Sequence, residues 1–343
     1  MRGASVRKKA LPVQDGETRY EIVTLPELRP VFIVGVHRSG TTLLRYMLGS
    51  HSRIYIPPES DFIPNFFLHD PAGELSDEQV ARMLHTIFER YRFVREWKGD
   101  PPDPAQFAHS LPDRTPASFL DSLYSAYARQ YGAERWGDKT PIYASYIDLL
   151  HDIFPRAQFL HIIRDGRDAA LSMLDKYEHD EFHVDIFFAA RNWVRRIRSA
   201  QSTGAQIGPN LYYELRYENL IDHPEGELRD VCDFLGEAYE PNMIEYHHTA
   251  RERIPANSHF FSNVRNPLSR QRVGRWQQEM SVADQRLVQR VAGKLLAELG
   301  YTVIDLGPMS IPELARLAVL ASKYAVLQSG RRALQALGLF PPI

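Results

Sequence analysis

The chain has 343 residues, 44% of them hydrophobic and 24% charged, with a formal net charge of −2 at pH 7. That is ordinary globular composition, long enough for one large α/β domain or two small ones, and the near-neutral charge argues against an overall basic field for nucleic acid. The single cysteine, Cys232, excludes an internal disulfide framework and fits a reducing compartment.

Residues 1–29 are polar and mixed in charge, with no apolar leader, and no run of 18 uncharged apolar residues occurs anywhere in the chain. Residues 1–20 read as a flexible arm and 20–25 as a short edge strand. The apolar, β-branched run 31–34 predicts a strand that enters a loop bounded by Gly35 and Gly40. Thr41 and Thr42 follow, and then Leu43, Leu44, Met47 and Leu48 at helical spacing. Strand, glycine-bounded loop and helix start form an anion cradle, because loop N–H groups and the helix N-terminus converge on one point. The spacing is that of G-x-x-x-x-G-K-[ST] with one departure. Thr41 stands in the place of the Lys, and a cation occurs earlier, at Arg38. A loop without that Lys is a poor triphosphate site but suits a phosphate or a phosphosulfate.

Residues 54–56 predict a second short strand, closed by Pro57 and Pro58 and followed by Glu59, Ser60 and Asp61. Ser76 is a candidate N-cap for a helix whose apolar residues Val80, Leu84, Ile87, Phe88 and Tyr91 recur at helical spacing. Residues 101–116 read as a proline-rich loop and 116–131 as a helix. A helix over 143–153 feeds a strand over 158–163. A long helix (186–202), a strand (211–216) and a helix (224–235) ended by Gly236 follow. Cys232 falls in that last pattern and is expected to be buried. Residues 282–299 predict a helix ended by Gly300. Beyond it, Leu314, Leu317, Ala318 and Ala321 form an apolar stripe in a tail made basic by Lys323, Arg331 and Arg332. Packing of this tail on the domain is preferred to attachment to a membrane surface or a partner. Strands alternating with helices imply a three-layer α/β domain with a mostly parallel sheet, over 30–306. The helical segment 60–135 would cover the substrate side, and 307–343 would form a helical tail.

A second segment repeats the strand–turn–helix design: Gln158-Phe-Leu-His-Ile-Ile-Arg164-Asp-Gly-Arg-Asp-Ala-Ala-Leu-Ser172. With the loop 35–42, this pair resembles the sulfotransferases that use 3′-phosphoadenosine 5′-phosphosulfate (PAPS). Three further stretches extend the likeness: Trp136-Gly-Asp-Lys139-Thr-Pro141; Arg216-Tyr-Glu-Asn-Leu220 leading to Asp233-Phe-Leu-Gly236; and Val273-Gly-Arg-Trp276. The resemblance covers roughly residues 30–301 and lies nearest the tyrosylprotein and carbohydrate members. It implies the P-loop-like sulfotransferase fold and transfer of a sulfuryl group from PAPS to an acceptor hydroxyl or amine, without a metal.

The same resemblance assigns roles. Ser39, Gly40, Thr41 and Thr42 would hold the 5′-phosphosulfate, with His37 beside them. Arg38 and Lys139 would stabilise the leaving phosphate, and Glu59 would be the general base. Arg164 and Ser172 would take the 3′-phosphate. Tyr217 would reach the adenosine, and Arg275, or its competitor Arg272, would close over the phosphates. His37 departs from the family pattern, and packing is the preferred role for it. Trp276 is read as core. His179, Glu181 and His183 form a weak metal pattern, and a polar loop is the favoured reading there. Asp165 is a weak magnesium candidate. The rival functional readings are a P-loop kinase or NTPase and an inert nucleotide-binding module. Many animal members carry an N-terminal Golgi anchor; residues 1–29 do not look like one, so a cytoplasmic enzyme is expected. The acceptor, whether small molecule, glycan, lipid or peptide, and the oligomeric state are not specified by these patterns.

Overall fold

The structure is a computed structural model that describes residues 6–11, 19–24, 29–177, 184–254 and 263–336. Strands β1 (Val6–Leu11) and β2 (Arg19–Thr24) pair antiparallel as a separate two-stranded sheet. The strand expected near 20–25 is therefore present. It pairs with residues from the segment read as an arm, not with an edge of the main sheet.

The main sheet has five parallel strands: β3 (Val31–Gly35), β4 (Ile54–Tyr55), β5 (Arg135–Lys139), β6 (Gln158–Ile163) and β7 (Tyr212–Arg216), in the order β4-β5-β3-β6-β7. Central β3 is flanked on both sides, with Val31 opposite Gly137 of β5 and Gln158 of β6. Both of its faces are covered, which is why its sequence is a continuous apolar run. Phe32 and Val34 face one layer, with Tyr55, Trp136, Phe159 and the helices between residues 63 and 153. Val31 and Ile33 face the other, against the helices Thr41–Leu48 and Pro224–Leu235. A third apolar cluster joins the helices Gly166–Tyr177, Ile186–Ile207 and Val282–Glu298. The three-layer α/β expectation thus describes the molecule.

Strand β5 was not expected, because Arg-Trp-Gly-Asp-Lys lacks any apolar run. Specific partners make it possible. A Cβ at Gly137 would lie 2.7 Å from the Val31 carbonyl oxygen, so only glycine lets the two strands approach. Buried Asp138 accepts from the Tyr124 hydroxyl at 2.7 Å, and the Trp136 indole donates to Asp121 at 2.8 Å.

Two further differences are local. The expected loop 101–116 contains a helix, Pro104–Ser110, whose N-cap Asp103 accepts from the Gln106 N–H at 2.8 Å. The tail forms the helix Ile311–Ala336. Leu317, Leu320, Ala321 and Tyr324 pack on the third cluster, and Arg316–Asp284 and Lys323–Asp185 pairs flank them. Of the predicted stripe Leu317 and Ala321 pack as preferred, whereas Leu314, 49% exposed, and Ala318 face solvent. Among the described residues no helix is long and apolar enough to cross a membrane. Cys232 is buried against Met243, as expected. The weak metal pattern at His179, Glu181 and His183 lies outside the described residues.

Candidate active site

The glycine-bounded loop leaves the carboxyl end of β3, where open parallel sheets bind ligands. Arg38 and Gly40 hold left-handed backbone, at φ 73° and 97°, and the Ser39 N–H closes a turn on the Val36 carbonyl at 3.1 Å. A Cβ at Gly40 would lie 2.4 Å from the Tyr217 ring, so glycine is required twice, by torsion and by space. The helix Thr41–Leu48 starts directly after the loop.

Arg164, at the end of β6, is folded over this loop. One guanidinium nitrogen donates to the Arg38 carbonyl at 3.0 Å, another to the Arg272 carbonyl, and the group lies 4.7 Å over the Tyr217 ring. Its buried Nε has no partner among the described residues, and neither has the buried Ser39 hydroxyl. Arg38 donates from Nε to the Ser172 hydroxyl at 3.0 Å. Burial, and then the charges of Arg272 and Arg164, lower the Arg38 pKa from its usual value. Three guanidinium groups gathered with little compensating charge favour an incoming anion. They border a cavity of about 210 Å³ whose lining includes Arg38, Gly40, Thr41, Thr42, Arg164, Ser172, Tyr217 and Arg272.

Beside this cavity lies a second group. Lys139, at the end of β5, is buried; its Nζ donates to Glu59 Oε1 at 2.5 Å and to the Thr42 hydroxyl at 3.3 Å. Arg92 approaches the other Glu59 oxygen at 3.6 Å. Burial pushes the Glu59 carboxyl up, but Lys139 outweighs it and brings the pKa down to about 2. The chain that leads into Glu59 is tied to the phosphate-loop helix. Arg45 donates to the Ile56 carbonyl at 2.9 Å and pairs with Glu96 at 2.7 Å, which also accepts from Tyr55 at 3.1 Å. One helix therefore carries the loop's end and anchors the residues just before Glu59.

Residues 30–241 match the profile of the sulfotransferase family. This chain belongs to the sulfotransferase family. It is 27% identical over 256 residues to an uncharacterized protein of Aquifex aeolicus, covering 73% of this chain but only 31% of that one. It is 31% identical to an omega-hydroxy-beta-dihydromenaquinone-9 sulfotransferase of Mycobacterium bovis, covering 63% of this chain and 66% of the relative. Among solved structures, the sulfotransferase domain of the Synechococcus olefin synthase superposes with a TM-score of 0.56 at 23% identity, over 81% of this chain and 98% of that domain. That likeness concerns the fold.

Most residues singled out from the sequence of this sulfotransferase come together. Arg38, Gly40, Thr41, Thr42, Arg164, Ser172, Tyr217 and Arg272 share one cavity, and Glu59 and Lys139 adjoin it through Thr42. Lys139 ends a strand; it is not the surface charge at a helix start that was the alternative. Three residues sit elsewhere, the first being Ser39, which is fully buried and outside the lining. Arg275 is bound to Asp175 at 3.0 Å and to Glu279 one turn along, and does not line the cavity. Arg272, on the preceding turn, does. His37 is also outside the lining; burial, followed by Arg196, lowers its pKa to about 3, so it is a neutral ring. Asp165 is occupied by Arg167, with contacts of 2.7 and 3.0 Å. Trp276 is core, 4% exposed, with the Arg167 guanidinium stacked 3.6 Å from its ring.

Three contributors were missed. Arg45 looks like any polar residue in an amphipathic helix. Asp168 accepts from the backbone N–H groups of Gly274 and Trp276 at 2.7 and 2.9 Å, tying the Val273–Trp276 turn to the Arg164 helix. The signal was its position four residues after Arg164, which brings it 3.8 Å from that guanidinium. Asp61, two residues after Glu59, was quoted but given no role.

Proposed function

We propose that this sulfotransferase moves the sulfuryl group of PAPS to an acceptor hydroxyl, with an amine as the alternative nucleophile. The observation that carries the reading is the buried Lys139, donating to Glu59 and to Thr42 at the edge of the anion cradle. It joins a carboxylate that can take a proton to the loop that can hold the donor. Arg164 Nε and Ser39 Oγ, buried without partners, fit a ligand rich in phosphate oxygens.

In this mechanism the loop amides and Arg38 bind the phosphosulfate, and Arg164, Ser172 and Arg272 take the 3′-phosphate. Locked to Lys139 with a pKa of about 2, Glu59 is too weak a base at neutral pH. Phosphosulfate oxygens compete for Lys139, and the carboxylate is released toward the acceptor. The acceptor oxygen attacks sulfur as Glu59 removes its proton. The bond between sulfur and the bridging oxygen breaks, and adenosine 3′,5′-bisphosphate leaves with its charge balanced by Arg38 and Lys139.

Thermal shift tests the donor assignment. Adenosine 3′,5′-bisphosphate at 100 times its dissociation constant stabilises the fold by ~2.7 kcal/mol. ATP with magnesium, lacking the 3′-phosphate, stabilises much less. Equal stabilisation by ATP–magnesium would favour a kinase-like reading.

A further inference from the structure

Three side chains outside the proposed reaction site converge on one point. Glu245, His247 and His248 stand at the start of the helix Tyr246–Arg253. The Glu245 Oε2 atom lies 3.6 Å from His247 Nε2 and 3.6 Å from His248 Nε2. One donor atom from each residue falls within 4.8 Å of the other two. Separations of 3.6 Å are too long for hydrogen bonds, so the groups surround a point without bonding across it. None of the three lines the nucleotide cavity.

The backbone beneath them is fixed. Tyr246, between the three in sequence, is 2% exposed, and its hydroxyl donates to the Asn266 carbonyl at 2.8 Å. The His248 N–H closes the first turn on the Glu245 carbonyl at 3.0 Å. The Glu245 carboxylate is not spent on capping the helix. The His247 side chain is mostly buried, its ring edge-on to Tyr246 at 5.9 Å and tilted against His248 at 4.3 Å. Its Nδ1 has no partner among the described residues. Glu245 and His248 are both more than half exposed, so an ion can enter and water can reach it.

Two imidazole nitrogens and one carboxylate oxygen are the donor set of zinc sites with three protein ligands. At bonds of about 2.0–2.1 Å, a tetrahedral ion holds its ligands about 3.3–3.4 Å apart. Closing both gaps therefore takes only small turns of the two exposed side chains. Magnesium and calcium prefer oxygen donors, and two imidazoles argue against them. A plain ion pair of Glu245 with one protonated histidine is the competing account. It explains one contact but not why both rings address the same oxygen, and two protonated rings 4.3 Å apart would repel. The charge of Arg251 opposes a cation here, but its Nε is committed to the Arg265 carbonyl at 2.7 Å.

We propose that Glu245, His247 and His248 form a binding site for a divalent transition-metal ion of the zinc type. One carboxylate oxygen and two imidazole nitrogens are its ligands, and water takes the remaining position. The ion lies outside the proposed sulfuryl-transfer machinery, so the site stands or falls independently of that reading. It is also separate from the weak pattern at His179, Glu181 and His183.

The test uses the full chain, free of any affinity tag and stripped of metal, titrated with zinc against a chromophoric chelator. One tightly held zinc per chain is expected. Its affinity should fall at least about 10-fold in Glu245→Gln and in His248→Ala, since losing even an outer-shell partner of a metal ligand costs that much. Both side chains are exposed, so both variants should keep the wild-type melting curve in the absence of zinc. Cobalt(II) in place of zinc should give the visible absorption of a four-coordinate ion, and both variants should lose it. Magnesium or calcium at about 100-fold excess should not displace the zinc. A chain that takes up no zinc overturns the proposal. So does zinc held as tightly by the two variants as by the wild type, or zinc displaced by magnesium. Zinc lost from His179→Ala and retained in Glu245→Gln overturns it too, and assigns the ion to the other histidine pattern.

Discussion

The proposed nucleotide half of the site and the proposed acceptor half are built in different ways. The first is built mainly on two local motifs, a loop of six residues with the start of one helix and a second strand–turn–helix unit carrying Arg164 and Ser172, to which Tyr217 and Arg272 are added from further along the chain. The second is made of side chains gathered from far apart. Lys139 meets Glu59 across 80 positions, and Arg92 comes from a further element. Short-range design leaves a motif in the sequence. Long-range assembly does not, and it depends instead on buried polar contacts such as Arg45 to Ile56 and Ser60 to Tyr143. The two halves should therefore fail differently when altered: one loses the nucleotide, the other loses turnover or acceptor choice.

The largest effect should come from Glu59→Gln. It keeps the shape and removes the proposed base, so turnover is expected to fall by ~10²–10⁴ while affinity for adenosine 3′,5′-bisphosphate stays nearly constant. Single-turnover kinetics and nucleotide titration separate the two. Wild-type turnover in this variant, with a dead His37→Ala, would move the base to the neutral ring next to Arg38. Arg164→Ala is the mirror experiment. It removes a charge-assisted contact and leaves Tyr217 and the Arg38 carbonyl without their partner. Affinity for the nucleotide should fall by about 10- to 100-fold, with a much smaller change in turnover at saturation. Equal losses of binding and turnover in both variants would erase the distinction between the halves.

What the sequence made legible follows the same line. Strands β3 and β6 were readable because burial on both faces demands apolar, β-branched residues, and the loop was readable because φ near 97° at Gly40 demands glycine. Strand β5 was not, since its stability comes from Asp138–Tyr124 and Trp136–Asp121 contacts that no local pattern announces. Lys139 was identified through resemblance alone. Asp61 escaped notice because backbone strain in a non-glycine residue, here φ 56°, has no sequence signature, and Asp168 because its partners are backbone N–H groups 106 and 108 positions away.

Asp61 also offers a test by pH. Its pKa in the fold, about 6, lies above the ordinary 3.8. Below the ordinary value both folded and unfolded chains carry the proton, and the group imposes no penalty. As pH rises through that window the unfolded chain ionises first, so stability is lost up to pH 6 and stays lost above it. Asp61→Asn cannot ionise. It should stabilise the protein by up to about 3 kcal/mol at pH 7.5, and by almost nothing at pH 3.5. Urea midpoints at the two values measure this. A gain of equal size at both would attribute the effect to the strained backbone, not to the charge.

The smallest effect separates two arginines that the sequence ranked the other way, with Arg275 first and Arg272 as its competitor. Arg272 borders the nucleotide cavity, and its carbonyl is held by Arg164. Arg275 is engaged by Asp175 and Glu279, two carboxylates that raise its pKa, and it has no free face toward the cavity. Such exposed pairs are worth about 0–1 kcal/mol. Arg275→Ala should therefore change nucleotide affinity by less than about twofold and stability by no more than that figure. Arg272→Ala should weaken the nucleotide by roughly 10-fold, because the charge it removes lines the cavity proposed for it. If Arg275→Ala proves the more damaging, the 263–276 segment must turn over when the nucleotide binds. Arg275 would then exchange Asp175 and Glu279 for phosphate, a change that protection of this segment in hydrogen exchange with and without adenosine 3′,5′-bisphosphate would register directly.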